Sequence, residues 1–197
     1  LLENAITPIQ QYSYSTGKNS TDSSLIIDAM DILYTGKVDG FCIVSSDSDF
    51  TRLATRLREA GMKVIGIGEK KTLNPFITAC DKFIYIEILK PQPESREIPA
   101  GDKSSKRQGQ HGKKTLSKID PKIIKLFADS ITDLADENGW AFLGELGNLI
   151  LKKKPDFDPR NYGYPKMLQL IRAMNKFRID ERATSNVNVK HIYIKLK

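Results

Sequence analysis

The chain is poor in the residues that build soft-metal, redox and membrane sites. Its 197 residues include two cysteines, two histidines and one tryptophan. Cys42 falls in an apolar run that reads as a strand, and Cys80 lies near a helix end. Both are expected to be reduced, buried and inert, which suits a cytoplasmic protein better than a secreted disulfide scaffold. His111 sits in a polar stretch with no partner at metal-ligand spacing, and His191 alternates with Ile192 on a strand, a structural position. No run of about 18 apolar residues is present, so no membrane helix is expected. No glycine-rich phosphate loop follows any strand, which weakens a nucleotide-binding reading. The start, Leu1-Leu-Glu-Asn4, has neither an initiator Met nor a signal peptide, and the chain is expected to begin inside a longer protein.

What is present divides the chain. With 40% apolar residues it can bury a core and form one or two domains. The net charge of +7 is uneven: residues 1–90 hold 10 Lys/Arg against 11 Asp/Glu, and residues 91–197 hold 21 against 13. Such asymmetry suggests a neutral or acidic unit tethered to one that prefers polyanions, although extra lysine also serves solubility. Residues 91–118, with Pro91, Pro93, Pro99 and several glycines among basic and hydroxyl residues, read as a flexible basic linker. Domains are therefore placed at 1–90 and 119–197.

In the first domain, Ala5 to Tyr14 reads as a strand. From Asp22, apolar residues at Leu25, Ile26, Ala29, Ile32 and Leu33 predict a helix ended by Gly36. Strand Phe41–Val44, helix Phe50–Ala60 closed by Gly61, strand Lys63–Ile67, helix Leu73–Asp81 and strand Phe83–Leu89 follow. This βαβαβαβ order implies a parallel α/β sheet with helices on both faces. In the second domain, helices over Ile119–Asn138, Phe142–Leu151 and Pro165–Met174 precede two strands, Phe177–Arg182 and Val189–Leu196. That is the order of a small α+β winged helix. Trp140 and Phe157 are expected in its core.

The chemistry concentrates where Phe41–Val44 ends in Ser45-Ser-Asp-Ser-Asp49. Ligands of open α/β sheets bind at that carboxyl edge. At 100° per residue Asp22 shares the packing stripe of the preceding helix, while Asp31 points away and Asp28 lies between. Asp22 is thus either an inward carboxylate or the helix N-cap. Asp47 and Asp49 with Asp22 would put two or three acids in one cleft, which is costly unless a cation fills it. Oxygen donors without His or Cys select Mg²⁺ or Mn²⁺, the ions of phosphoryl-displacing nucleases. Ser45 and Ser46 could orient a water or a phosphate oxygen; the competing reading makes Ser46-x-x-Asp49 a capping box. In the basic half, Lys152, Lys153, Lys154, Arg160, Lys166 and Arg172 flank the third helix, with Tyr162 and Tyr164 among them. The combination suits phosphate contact and base stacking, unless the tyrosines are core and the lysines a solvated face.

Lys18-Asn-Ser-Thr-Asp22, Asp28-Ala-Met-Asp31, Phe41-Cys-Ile-Val-Ser-Ser-Asp-Ser-Asp-Phe50 and Leu57-Arg-Glu-Ala-Gly-Met-Lys-Val-Ile65 resemble the NYN domain of the LabA-like group, within the PIN-like nuclease superfamily. The resemblance implies a metal-dependent ribonuclease fold with a catalytic and metal-binding cluster at Asp22, Asp47 and Asp49, supported by Ser45, Ser46, Lys18 and Asp28. Members of that family open with a strand bearing a first acidic ligand, which has no counterpart here. The chain is then a fragment of an active protein, or a lineage without the first strand–helix unit. Gly139-Trp-Ala-Phe-Leu-Gly-Glu-Leu-Gly-Asn148, Phe157-Asp-Pro-Arg-Asn-Tyr-Gly-Tyr-Pro-Lys166 and the closing hairpin resemble the OST-HTH domain, also called LOTUS. That implies binding of single-stranded or structured RNA, or docking to an RNA-processing protein. The combined expectation is a Mg²⁺- or Mn²⁺-dependent endoribonuclease coupled to an RNA-binding winged helix. Its rival is a non-catalytic RNA-binding adaptor with a vestigial acidic site. A homodimer and duplex DNA as ligand are the remaining partner expectations.

Overall fold

The computed structural model describes residues 2–12, 20–89, 119–183 and 190–197, and they form two compact units divided between Ile86 and Glu87. The expected linker at 91–118 and the supporting Lys18 lie outside the described residues.

In the first unit, α1 (Ser20–Thr35) leads to β1 (Gly40–Val44), α2 (Thr51–Glu59), β2 (Lys63–Gly68), α3 (Asn74–Ala79) and β3 (Lys82–Tyr85). The sheet runs β1-β2-β3, all parallel, with Phe41 opposite Val64 and Gly66 opposite Phe83. Strands in sequential order joined by right-handed crossovers put α2 and α3 on the same face. There Leu53, Ala54 and Leu57 of α2 and Phe76, Ile77 and Ala79 of α3 bury against Ile43, Val64 and Phe83. Each fully buried Leu or Phe here contributes roughly 1.5–3 kcal/mol of transfer free energy. Phe76 and Phe83 meet edge to face at 5.9 Å, and Phe83 and Tyr85 at 5.4 Å. The two inward glycines of β2 make this packing possible. A Cβ on Gly66 would stand 2.6 Å from the Phe83 ring, and one on Gly68 2.5 Å from the Ser45 carbonyl.

Three expectations are corrected here. Residues 6–12 form no strand, so the sheet has three strands among the described residues; positions 13 and 14 of the expected strand lie outside them. The Tyr and Ile content of that stretch favours extended chain, but it pairs with neither outer strand of the β1-β2-β3 sheet. The last strand stops at Tyr85, and Ile86–Ile88 turns into 3-10 helix. Cys42 is exposed rather than buried, because alternation sends it and Val44 to the face opposite α2 and α3. Cys80 is buried as expected.

The second unit contains α4 (Pro121–Leu134), β4 (Ala141–Phe142), α5 (Leu143–Lys153), α6 (Met167–Met174), β5 (Phe177–Ala183) and β6 (Lys190–Leu196). Its core joins Phe127 and Ile131 of α4, Leu146 and Ile150 of α5, Leu170 and Ile171 of α6, and Ile194 of β6. Asp120 caps α4 by accepting the Lys122 N–H at 2.9 Å, with Pro121 in the first turn. The helix ends at Leu134, short of the expected Asn138. Asp136 supplies the reason: its Oδ1 accepts the N–H groups of Asn138 and Trp140, offering the backbone a turn in place of helix. The expected hairpin forms, and β4 joins it in an antiparallel sheet of order β4-β6-β5. Three helices and this sheet make the winged helix.

Candidate metal centre and nucleic-acid surface

The acidic site is built at the carboxyl end of β1. The Ser45 N–H donates to the Ile67 carbonyl at 2.9 Å, extending the β1-β2 ladder one residue past the strand. Gly68 lets the Ser45 carbonyl come close, and the Ser46 hydroxyl accepts the Glu69 N–H at 2.9 Å. The β1 end is thereby tied to the β2 end on both sides of the peptide. Beyond it, the Asp47 N–H donates to Ser45 Oγ at 3.0 Å, and Asp47 Oδ1 accepts the Asp49 N–H at 2.9 Å. Asp47 is therefore the N-cap of the 3-10 turn Ser48–Phe50 that opens α2. The capping box anticipated from Ser46-x-x-Asp49 does not form, because Ser46 is spent on Glu69 instead.

On α1, Ile26, Ala29, Met30 and Leu33 lean on the core, while Leu25 and Ile32 are exposed. Asp22 precedes that stripe by four, seven, eight and eleven residues, so it shares the packed face. The helix starts at Ser20, which puts Asp22 inside the first turn rather than at the cap. One carboxylate oxygen from each of Asp22, Asp47 and Asp49 lies within 4.8 Å of the other two. Asp22 is half-buried, and the other two are exposed. Asp28 is not among the three.

The donor set fits a hard divalent cation. Opposite ligands of an octahedral Mg²⁺ stand about 4.2 Å apart, and those of a larger cation somewhat more. Three oxygens inside 4.8 Å need only rotamer adjustment to share one ion. A concavity of about 550 Å³ lined by Asp39, Arg58, Glu59, Lys63 and Asp81 lies at the opposite, amino end of the strands. Within it Asp81 pairs with Arg58 at 3.3 Å and with Lys63 at 3.8 Å, and it includes none of the three clustered carboxylates.

Models of two protein families match this chain: the NYN domain over residues 1–87 and the OST-HTH/LOTUS domain over residues 114–189. The chain is an NYN domain followed by an OST-HTH/LOTUS domain. Two solved structures are similar to it. An uncharacterized protein of Nitrosomonas europaea is 32% identical over 50% of this chain and 92% of its own, with a TM-score of 0.37. A fragment of a Chromobacterium violaceum protein is 30% identical over 38% of this chain and 78% of its own, with a TM-score of 0.31. No curated protein matches significantly.

In the OST-HTH/LOTUS domain, most of the cations expected around the third helix are engaged by acids. Lys153 pairs with Asp133 at 2.6 Å, Lys154 with Asp156 at 2.8 Å, and Arg172 with Glu181 at 3.0 Å. Arg160 is held by both oxygens of Asp158, which also caps the turn Pro159–Tyr162. Lys152 and Lys166 are exposed. Tyr162 is a core residue more than a stacking platform: it stacks on Phe157 at 6.0 Å, and burial pushes its hydroxyl up to about 12. Tyr164 packs half-buried on the same core, and Gly163 between them takes φ +83, which only glycine adopts without strain. Tyr-Gly-Tyr is thus the turn that sets α6 against the core. Phe157 is buried as expected, whereas Trp140 is half-exposed on the outer side of the sheet.

Residue-by-residue reading missed Gly68 and Glu69, which hold the β1 end in place. The signal was present in Gly66-x-Gly68: glycines alternating along a strand mark a face where something approaches closely.

Proposed function

We propose that this protein is a Mg²⁺- or Mn²⁺-dependent ribonuclease-type enzyme of RNA processing or turnover, whose OST-HTH/LOTUS domain brings RNA to the NYN domain. The observation that carries the reading is the meeting of Asp22, Asp47 and Asp49 at a sheet edge within 4.8 Å, in a chain that also bears a domain of RNA-binding type. Held there, a divalent cation would supply charge neutralisation and an activated water for in-line displacement at a phosphodiester. The chain's own parts do the rest. Asp22 enters from α1 and Asp47 and Asp49 from the turn after β1, so two independent elements fix the ligand oxygens. Asp47 is oriented by the Asp49 N–H it accepts, and Ser45 orients Asp47 in turn. Ser45 is thus a positioning residue, and Ser46 anchors the loop through Glu69. Exposed Lys152 and Lys166 would offset the charge of the RNA backbone, which an acidic cleft repels. A cytoplasmic setting belongs to the same reading, since both thiols are free.

The test is Mn²⁺-dependent cleavage of a labelled single-stranded RNA by the full protein. Asp22→Asn and Asp49→Asn should each reduce turnover by two orders of magnitude or more, and chelation should abolish it. Cleavage undiminished in both variants would remove these carboxylates from the mechanism. One observation favours the adaptor reading: Asp47 already has a structural job as an N-cap. That reading expects salt-sensitive RNA binding with no turnover in any divalent metal.

A further inference from the structure

The strands of the OST-HTH/LOTUS sheet alternate between two faces. Phe177, Ile194 and Ala141 point into the core. The other face pairs Arg178 with Lys195, Asp180 with Tyr193, Arg182 with His191, and Phe142 with Tyr193. This outer face is a continuous strip of planar groups. Phe142 lies 5.2 Å from the His191 ring and 5.7 Å from the Tyr193 ring. The Arg182 guanidinium sits 4.0 Å from the Tyr193 ring centre and 5.5 Å from that of Trp140, and Lys195 Nζ closes the strip 6.0 Å from Trp140. None of these rings is needed to fill the core, which the opposite face supplies. His191 and Arg182 are exposed, and Trp140, Phe142 and Tyr193 are half-exposed.

The charge on this face is positive. Arg178, Arg182 and Lys195 stand against Asp180, which pairs with Arg182 at 2.9 Å, with Asp136 nearby. Lys195 also donates to the Asn138 carbonyl at 2.7 Å. Aromatic faces carrying cations, with a guanidinium plane stacked among them, match unstacked bases and the phosphates that link them. An acidic peptide would use the cations and leave the rings idle.

We propose that the outer face of the β4-β6-β5 sheet is a stacking platform for single-stranded RNA, taking successive bases on Trp140, on the Arg182–Tyr193 pair and on Phe142–His191. Arg178 and Lys195 flank it as phosphate contacts. The inference rests on the domain's RNA-binding role, and it locates base stacking on the sheet, in addition to the backbone contacts offered by Lys152 and Lys166.

The chain's single tryptophan lies on the platform, so its emission reports stacking directly. Full-length protein in EDTA would be titrated with a fluorescein-labelled oligouridylate about a dozen nucleotides long, reading anisotropy at one salt concentration. The unlabelled oligomer would serve for tryptophan emission. Binding should quench Trp140. Tyr193→Leu and Arg182→Lys should each weaken binding about ten-fold, the scale of one lost stacking partner. Arg182→Lys keeps the charge and leaves the core untouched, so its loss of affinity reads the guanidinium plane even if Tyr193→Leu folds poorly. Wild-type affinity in Arg182→Lys together with unmoved Trp140 emission would overturn the platform while leaving RNA binding by the domain intact. Absence of any RNA binding would overturn both. Equal quenching by oligoglutamate would overturn it in favour of an acidic protein partner.

Discussion

Replacing Asp22 with Asn separates a metal ligand from a structural carboxylate, without recourse to activity. Asp22 faces two acids whose oxygens lie within 4.8 Å. At that distance, in water, each pair repels by about 0.9 kcal/mol, and physiological salt roughly halves this. Neutralising Asp22 therefore relieves about 1 kcal/mol. It also removes a negative charge from the first turn of α1, where the helix dipole rewards one by about 0.3–1 kcal/mol. The two effects nearly cancel, and in EDTA the variant should lie within about 0.5 kcal/mol of wild type. In Mn²⁺ they part. An ion at a hundred times its Kd stabilises the folded wild type by about 2.7 kcal/mol, and the Asn variant should lose most of that gain. Calorimetry is the suitable assay, since the two units can unfold separately and Trp140 emission marks the second. A variant that Mn²⁺ stabilises as much as wild type would refute the metal centre. One already destabilised in EDTA by more than about 1.5 kcal/mol would make Asp22 a structural residue of α1.

Gly68→Ala should destabilise the NYN domain by about 1–3 kcal/mol in urea unfolding, because the new methyl meets the Ser45 carbonyl at 2.5 Å and Thr72 Oγ1 at 2.8 Å. A smaller cost in Gly61→Ala, where φ is positive but nothing lies near, would confirm that crowding and not conformation decides. A thiol reagent at pH 8 should modify exposed Cys42 in the native protein and spare buried Cys80, whose thiol is pushed up to about 11 chiefly by burial; both should react in urea. Tyr162 should remain un-ionised in an ultraviolet titration until about pH 12. Its folded value is raised above the unfolded value of about 10, so the protonated form belongs to the fold. The OST-HTH/LOTUS domain should then lose stability as pH rises from about 10 to 12. Tyr162→Phe should flatten that decline.

Much of this protein was legible residue by residue. The 3.6-residue stripes of α2, α4 and α6, the short apolar runs of β1 and β2, and the punctuation by Gly36 and Gly61 are local signals with one physical outcome each. Helix periodicity and the rule that α/β sheets bind ligands at their carboxyl edge allowed Asp22 to meet Asp47 and Asp49, but left it equally readable as a helix N-cap. Other outcomes depended on competition between partners that are distant in sequence. Residues 6–12 have strand-like composition yet pair with neither outer strand of the sheet. Ser46 could cap its own turn or bind the Glu69 N–H, and only the close approach of β2, allowed by Gly68, settles which. Asp136 ended α4 four residues early by capturing two N–H groups that a helix would have used otherwise. Four of the six lysines and arginines around α6 found partners no local pattern announced, in Asp133, Asp156, Asp158 and Glu181. Trp140 looked like core until strand pairing turned it outward beside Arg182. Sequence determined the elements and the kind of chemistry they carry, because those depend on periodicity and residue type. The partners of each charge and ring were decided by tertiary structure, because hydrogen bonds and ion pairs act over a few ångströms and the chain must fold before those distances exist.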